Sequence, residues 1–146
     1  MGDDKKIKLW DILNLSLIEE VHQHRHWVTS IINFNSENNI ISGSCDMSFR
    51  IWDITHKQQI LSIDNEEWIV DLKTSKNNCY LAVALKHKLV KVFDTKSFQL
   101  ITTFRHPDFY ESIDEKQNYN WINCVSFGSN DKVLFTGCED GILRKW

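Results

Sequence analysis

The chain has 146 residues, about one domain's worth, and its 42% hydrophobic and 25% charged content is ordinary for a folded protein and too apolar for a disordered one. No apolar run approaches the ~18–20 residues that a membrane-crossing helix needs. Seventeen basic against twenty acidic residues leave a net charge of −3, which gives no bulk attraction to phosphate and argues against non-specific nucleic-acid binding.

Taken in order, the polar start from Met1 to Lys6 leads into an alternating segment rather than an apolar signal region. That segment ends in Lys8-Leu9-Trp10-Asp11. Residues Trp27 to Phe34 are β-branched and aromatic and predict a strand. A polar turn is expected over Asn35–Asn39, a second strand over Ile40–Ser44, a turn at Cys45-Asp46 and a third strand over Ser48–Asp53. A fourth, outer strand is expected over Gln59–Ile63. The pattern restarts at Trp68-Ile69 and ends in Lys91-Val92-Phe93-Asp94. It restarts once more at Trp121-Ile122 and ends in Arg144-Lys145-Trp146. Helical periodicity is absent throughout, and only one proline and five glycines punctuate the chain, so Asn, Asp and Ser must make most turns.

Two rulers measure the same repeat. Trp10 and Trp52 are 42 residues apart, Trp52 and Phe93 are 41, and Phe93 and Trp146 are 53. Trp27 and Trp68 are 41 apart, and Trp68 and Trp121 are 53. Both place one twelve-residue insertion between Phe93 and Trp121, at about 107–118. A period of ~40–45 residues with a Trp-Asp ending belongs to four-stranded propeller blades.

The clearest copy carries Gln23-His24, Val28, Ser42-Gly43-Ser44-Cys45-Asp46 and Arg50-Ile51-Trp52-Asp53. On these residues the chain resembles the Trp-Asp repeat β-propeller family, the family of the G-protein β subunit, departing at Gln23 where the family usually has Gly. The resemblance covers nearly the whole chain. It implies an all-β fold: a WD-repeat β-propeller fragment of about three four-stranded blades, not closed by this chain alone. Residues 1–21 would end a first blade, 22–63 form a second and 64–104 a degenerate third. Residues 105–146 would form a fourth that contains the insertion and lacks its last strand. A truncated or excerpted propeller is the simplest expectation, with the remainder of a propeller or a second chain needed to close the ring.

The resemblance also implies that His24, Ser42, Asp46 and Trp52 form one buried structural tetrad. His24 would sit between Ser42 and Asp46, with the Trp52 indole N–H on Ser42. A Ser-His-Asp hydrolase built from Ser42, His24 and Asp46 is the rival reading. The repeat weighs against it, because a nucleophile occurs once and a blade lock recurs. Asp4, Asp46 and Asp140 each stand six residues before a Trp, and Ser42 and Thr136 each stand ten before. The third copy has Val83, His87 and Phe93 at the tetrad positions and Asn65 in place of histidine, so packing alone is expected to hold it. In the fourth copy either His106 or Asn118 can take the histidine position, and His106 would join Thr136, Asp140 and Trp146. Lys8, Arg50, Lys91 and Arg144 stand two before each aromatic and are expected to pair with nearby carboxylates at the blade rim.

No enzyme activity, no cofactor and no metal site is expected. Cys45, Cys79, Cys124 and Cys138 contain no C-x-x-C pair. His22, His24 and His26 would share one face of a strand, which suits zinc or copper, but the tetrad claims His24. The implied role is a non-enzymatic scaffold mediating protein–protein interactions in a larger complex, cytoplasmic or nuclear, away from membranes. An RNA-associated scaffold is the alternative, although the basic turn Lys86-His87-Lys88 lacks interleaved aromatics. The candidate partner-binding residues are Trp27, Trp68 and Trp121 at the starts of innermost strands and Cys45, Lys86 and Glu139 just before the Asp position of each turn. Phe109 and Tyr110 of the insertion complete the set. In a propeller all of these surround one mouth of the channel. The acids Asp108, Glu111, Asp114 and Glu115 bias the expected partner towards basic segments.

Overall fold

The computed structural model describes residues 4–22, 24–107 and 121–146. The described residues form thirteen strands in four antiparallel sheets. Strands β1 (Lys6–Asp11) and β2 (Ser16–His22) pair as a hairpin. Strands β3 (Val28–Phe34), β4 (Ser36–Ser44), β5 (Ser48–Asp53) and β6 (Gln58–Asp64) make a four-stranded meander. Strands β7 (Ile69–Thr74), β8 (Tyr80–Leu85), β9 (Leu89–Asp94) and β10 (Leu100–Arg105) make a second meander. Strands β11 (Ile122–Phe127), β12 (Leu134–Cys138) and β13 (Leu143–Lys145) make a three-stranded sheet. We refer to these as blades one to four. They form an unclosed arc in which each innermost strand packs on the neighbouring blade, β3 on β7 and β7 on β11.

The strands differ from the sequence expectation at one point. The polar stretch Asn35–Asn39 is not a long turn. Asn35 alone turns the chain, with φ 55°, and β4 begins at Ser36. Phe34 pairs with Ser36 across an irregular register, so the hairpin is tighter than its composition suggests.

The core lies between blades, which explains why the second and third strands are apolar on both faces. In β8 the alternation is divided between neighbours. Leu81, Val83 and Leu85 pack with Phe34, Ile41 and Phe49 of blade two, while Ala82 and Ala84 pack with Ile122 and Val125 of blade four. The fit against blade two is close: a Cβ on Gly43 would stand 2.6 Å from Ile69 Cγ2, so only glycine lets β4 and β7 approach this far. The first hairpin contributes Ile7 to a smaller cluster with Val28, Ile40 and Trp52. Its Trp10 is 55% exposed, against 2% for Trp52 at the equivalent position.

Every positive-φ residue among those described belongs to a repeated turn. Lys5, Met47, Lys88 and Gly141 precede the third strand of each blade; Leu15, Lys57 and Phe98 precede the fourth; Asn35, Asn78 and Asp131 lie between the first and second. One of the ten is glycine and three are Asn or Asp, which adopt this conformation readily; at the other six the repeat imposes it against ordinary side-chain preference.

Blade three is not held by packing alone, which corrects the expectation drawn from its missing tetrad. On β7, Asp71 Oδ1 accepts from Ser30 Oγ of blade two (3.1 Å) and from the Leu72 N–H (2.9 Å), while Oδ2 accepts from the Val125 N–H of blade four (3.2 Å). Thr29 Oγ1 lies 2.7 Å from the Ile69 carbonyl and 3.0 Å from that of Gly43. Asp71→Ala is therefore expected to lower the unfolding free energy by about 1–3 kcal/mol, as for stranding buried donors. Denaturant midpoints of the two proteins measure it, and Asp71→Asn should fall between them.

Candidate functional site

The second blade brings the four expected side chains into one network. His24 Nδ1 lies 2.8 Å from Asp46 Oδ2 and His24 Nε2 lies 2.7 Å from Ser42 Oγ. The Trp52 Nε1–H donates to Ser42 Oγ at 2.7 Å. The carboxylate of Asp46 also accepts from the Arg25 N–H (2.9 Å), the Ser48 N–H (3.0 Å) and the Ser48 hydroxyl (2.7 Å), with Arg50 at 3.5 Å. This bonding assigns the proton to His24 Nδ1, donating to Asp46, and leaves Nε2 to accept from the Ser42 hydroxyl. Burial pushes the Asp46 carboxyl up. Hydrogen bonds from His24, Ser48 and the Arg25 N–H outweigh it and hold the group well below the usual carboxylate range.

The geometry looks like a hydrolytic triad, but its surroundings do not serve one. Ser42 has no exposed surface and its oxygen is capped by the Trp52 indole. A nucleophile needs access to a substrate carbonyl and a pair of oxyanion donors, whereas every group here is committed to its neighbour.

The third and fourth blades vary the network. In blade three Val83 and Phe93 are buried, and the exposed His87 pairs with Glu67 at 2.8 Å. The Asn65 side chain reaches the Ile63 carbonyl through Nδ2 at 3.5 Å and makes no bond to a Ser, His or Trp among the described residues. In blade four His106 occupies the histidine position. Its Nε2 lies 2.8 Å from Thr136 Oγ1, to which the Trp146 Nε1–H also donates at 2.9 Å. Asp140 does not complete this set: its carboxylate pairs with Arg144 at 2.6 Å and accepts from the Ile142 N–H. Burial, with the Arg144 charge nearby, lowers the His106 pKa to about 4, so the ring is neutral at pH 7. The rim bases pair with carboxylates in every copy: Lys8 with Asp4, Arg50 with Asp46, Lys91 with Glu66 and Arg144 with Asp140.

The candidate docking residues gather at one end of the strands. The Cys45, Lys86 and Glu139 N–H groups donate to the carbonyls of Trp27, Trp68 and Trp121, each at 2.9 Å, one equivalent bond per blade. Between these bonds runs an aromatic stripe that sequence spacing did not reveal. His26 packs edge-on against Trp27 (5.0 Å between centroids) and stacks on Trp68 (5.8 Å). Lys86 Nζ lies 3.9 Å from the Trp68 ring centroid and 4.1 Å from that of Trp121, an ammonium held between two indoles. Trp27 is 39% exposed and Glu139 is exposed, while Cys45 is buried. Burial pushes the Cys45 thiol up, only partly opposed by Lys86, so it stays protonated at neutral pH. All four cysteines are free. Phe109 and Tyr110 lie outside the described residues, as does the insertion beyond Pro107; of the three alternating histidines, His24 and His26 are committed to the contacts above.

The family model for the WD domain, G-beta repeat, matches residues 15–53 and 112–146. The chain belongs to this WD40 family. Its curated relatives include a small ribosomal subunit protein RACK1y of Oryza sativa subsp. japonica, 24% identical over 98% of this chain and 41% of its own length. The COMPASS component SWD3 of Saccharomyces cerevisiae is 32% identical over 98% of this chain and 48% of its own length. The E3 ubiquitin-protein ligase COP1 of Arabidopsis thaliana is 25% identical over 97% of this chain and 21% of its own length. The chain thus spans less than half the length of these relatives. Membership of the WD40 family carries a general protein-interaction role.

Ser42→Ala should cost about 1–3 kcal/mol by stranding His24 Nε2 and the Trp52 N–H in the interior, read from thermal or denaturant unfolding. Asp46 gives a pH test. Because its folded-state pKa is depressed, its contribution is complete above the unfolded carboxylate pKa near 3.8 and is lost as pH falls below it. Asp46→Asn should lower stability at pH 7 and flatten the acid limb of a stability-against-pH curve.

Proposed function

We propose that this WD40 segment is a non-enzymatic docking scaffold for other proteins. Its contact surface is the mouth lined by Trp27, Trp68, Trp121, Lys86 and Glu139, with Cys45 buried beside Trp27. The observation that carries this reading is the continuous stripe from Trp27 through His26, Trp68 and Lys86 to Trp121. Indoles supply large contact area at little entropic cost and dominate many interfaces. The stripe sits on strand ends fixed by repeated backbone bonds, so it is preorganised. The acids Glu66, Glu67 and Glu139 rim the same mouth, and the acidic insertion leads into Trp121. A partner segment rich in Lys or Arg fits that rim. The scaffold works in the cytoplasm or nucleus within a larger assembly, as the ribosomal and COMPASS names of its relatives support.

The test compares variants by co-purification from cell extract, with and without ribonuclease. Trp27→Ala and Lys86→Glu should each lose about 1–2 kcal/mol of affinity, roughly ten-fold, for the same protein partners. Lys76→Ala, on the turn at the far end of β7, should keep them. Loss with Lys76→Ala and retention with the other two would move the docking surface to the opposite mouth. Ribonuclease-sensitive, steeply salt-dependent capture would favour the RNA-associated reading.

A further inference from the structure

We propose that His106, Cys138 and Asp140 form a binding site for a zinc-type divalent cation in blade four. One imidazole nitrogen, one thiolate and one carboxylate oxygen would be the protein ligands, with solvent in the fourth position. The ligand atoms lie within 4.8 Å of one another. They are also secluded: His106 is 1% exposed, Cys138 8%, and the Asp140 side chain 4%.

Comparison with blade two shows what is unusual. There the same histidine position spends both ring nitrogens, Nε2 on Ser42 and Nδ1 on Asp46. In blade four Nε2 is spent on Thr136, but Nδ1 is buried with no partner among the described residues. A buried nitrogen in that state calls for a physical reason. The two side chains gathered with this imidazole depart from their blade-two counterparts. Asp140 has turned to Arg144 and the Ile142 N–H. At the position of Ser44, whose oxygen is spent on local backbone groups, stands Cys138. Blade four thereby gathers nitrogen, sulfur and oxygen donors where blade two closes a hydrogen-bond network.

The surroundings suit a metal. The Thr136 oxygen has two lone pairs and can accept from both Trp146 Nε1–H and His106 Nε2–H. In that tautomer, with the proton on Nε2, Nδ1 keeps a bare lone pair for the metal. A ligating histidine commonly donates its other N–H in this way, and Arg144 orients the carboxylate of Asp140 as a second-shell cation would. Mixed nitrogen, sulfur and oxygen donors select a borderline-soft ion such as Zn²⁺ over Ca²⁺ or Mg²⁺, which take oxygen. On binding, the Cys138 thiol forms an S–metal bond and releases one proton to solvent, the neutral His106 contributes its lone pair, and no electron is transferred. The sequence shows no spacing motif for this site, because His106 and Cys138 stand at the ends of different strands, 32 residues apart with the insertion between them.

The experiment uses the full chain, stripped of metal. Zn²⁺ is titrated against a chromophoric chelator, and Co²⁺ is followed by absorption. One equivalent should bind, with a thiolate-to-cobalt charge-transfer band and a rise in the thermal midpoint. Cys138→Ser installs the residue blade two carries at this position. It should abolish the charge-transfer band and weaken zinc binding by roughly 10–100-fold or more. His106→Gln should weaken binding similarly, while Cys124→Ser and Cys79→Ser should leave both readouts unchanged. Uptake of no stoichiometric zinc, or equal binding by Cys138→Ser folded as the parent, would overturn the site. Neither result depends on whether the opposite residues of the mouth dock a partner.

Discussion

One carboxylate joins three blades. The innermost strand of each blade is a sheet edge, and its outward backbone groups have no strand to pair with. Asp71 resolves this at the centre of the arc by accepting from β3 and β11 at once, while Thr29 reaches the carbonyls of Gly43 and Ile69 from the other side. Hydrophobic burial between blades is large but non-directional. The polar links on β7 are directional, and beside them Gly43 lets β4 come so near that a Cβ would stand 2.6 Å from Ile69 Cγ2. The indoles at the mouth inherit their spacing from this packing, because each stands at the start of an innermost strand.

Much of this was legible because it repeats. The Trp-Asp endings and the indoles at strand starts occur at fixed intervals, and the blade-two network was readable from His24, Ser42, Asp46 and Trp52. The pairs of Lys8, Arg50 and Arg144 with the Asp four residues before follow the same register, whereas Lys91, with His87 at that position, finds Glu66 instead. What escaped was what does not repeat. Asp71 aligns with Ser30 and Cys124, so no periodic argument singles it out. Lys86 aligns with Cys45 and Glu139, and its place between two indoles arises only when two blades meet. The choice between His106 and Asn118 needed the packing of Phe104 on Trp146, whose ring centroids are 5.1 Å apart. The polar residues after Asn35 read as a turn because strand pairing, not composition, extends β4 to Ser36.

The repeat also shows how one scaffold separates stability from recognition. Blade two spends its polar side chains on a closed internal network. Blade three has lost that network and gives its turn residue Lys86 to the surface stripe. Blade four keeps half the network and holds an open imidazole. Equivalent positions have thus drifted towards locking, display and an open donor cluster, while the backbone turn at each keeps the same left-handed geometry. A rigid frame with exchangeable turn residues is how loops acquire function without disturbing the core.

Those turns also give the arc a direction. Phe98 of blade three packs on Phe34 and Phe49 of blade two, Lys57 of blade two pairs with Glu19 of blade one at 2.9 Å, and Asp131 of blade four accepts from the Lys76 and Asn77 N–H groups of blade three at 2.8 and 2.9 Å. Each reaches towards the earlier blade. Each blade therefore has two unlike faces, one receiving such reaches and one making them. Contact between them is heterologous, head to tail, and a two-fold axis cannot satisfy both. A row of blades joined in this way either closes into a ring or continues as a helix.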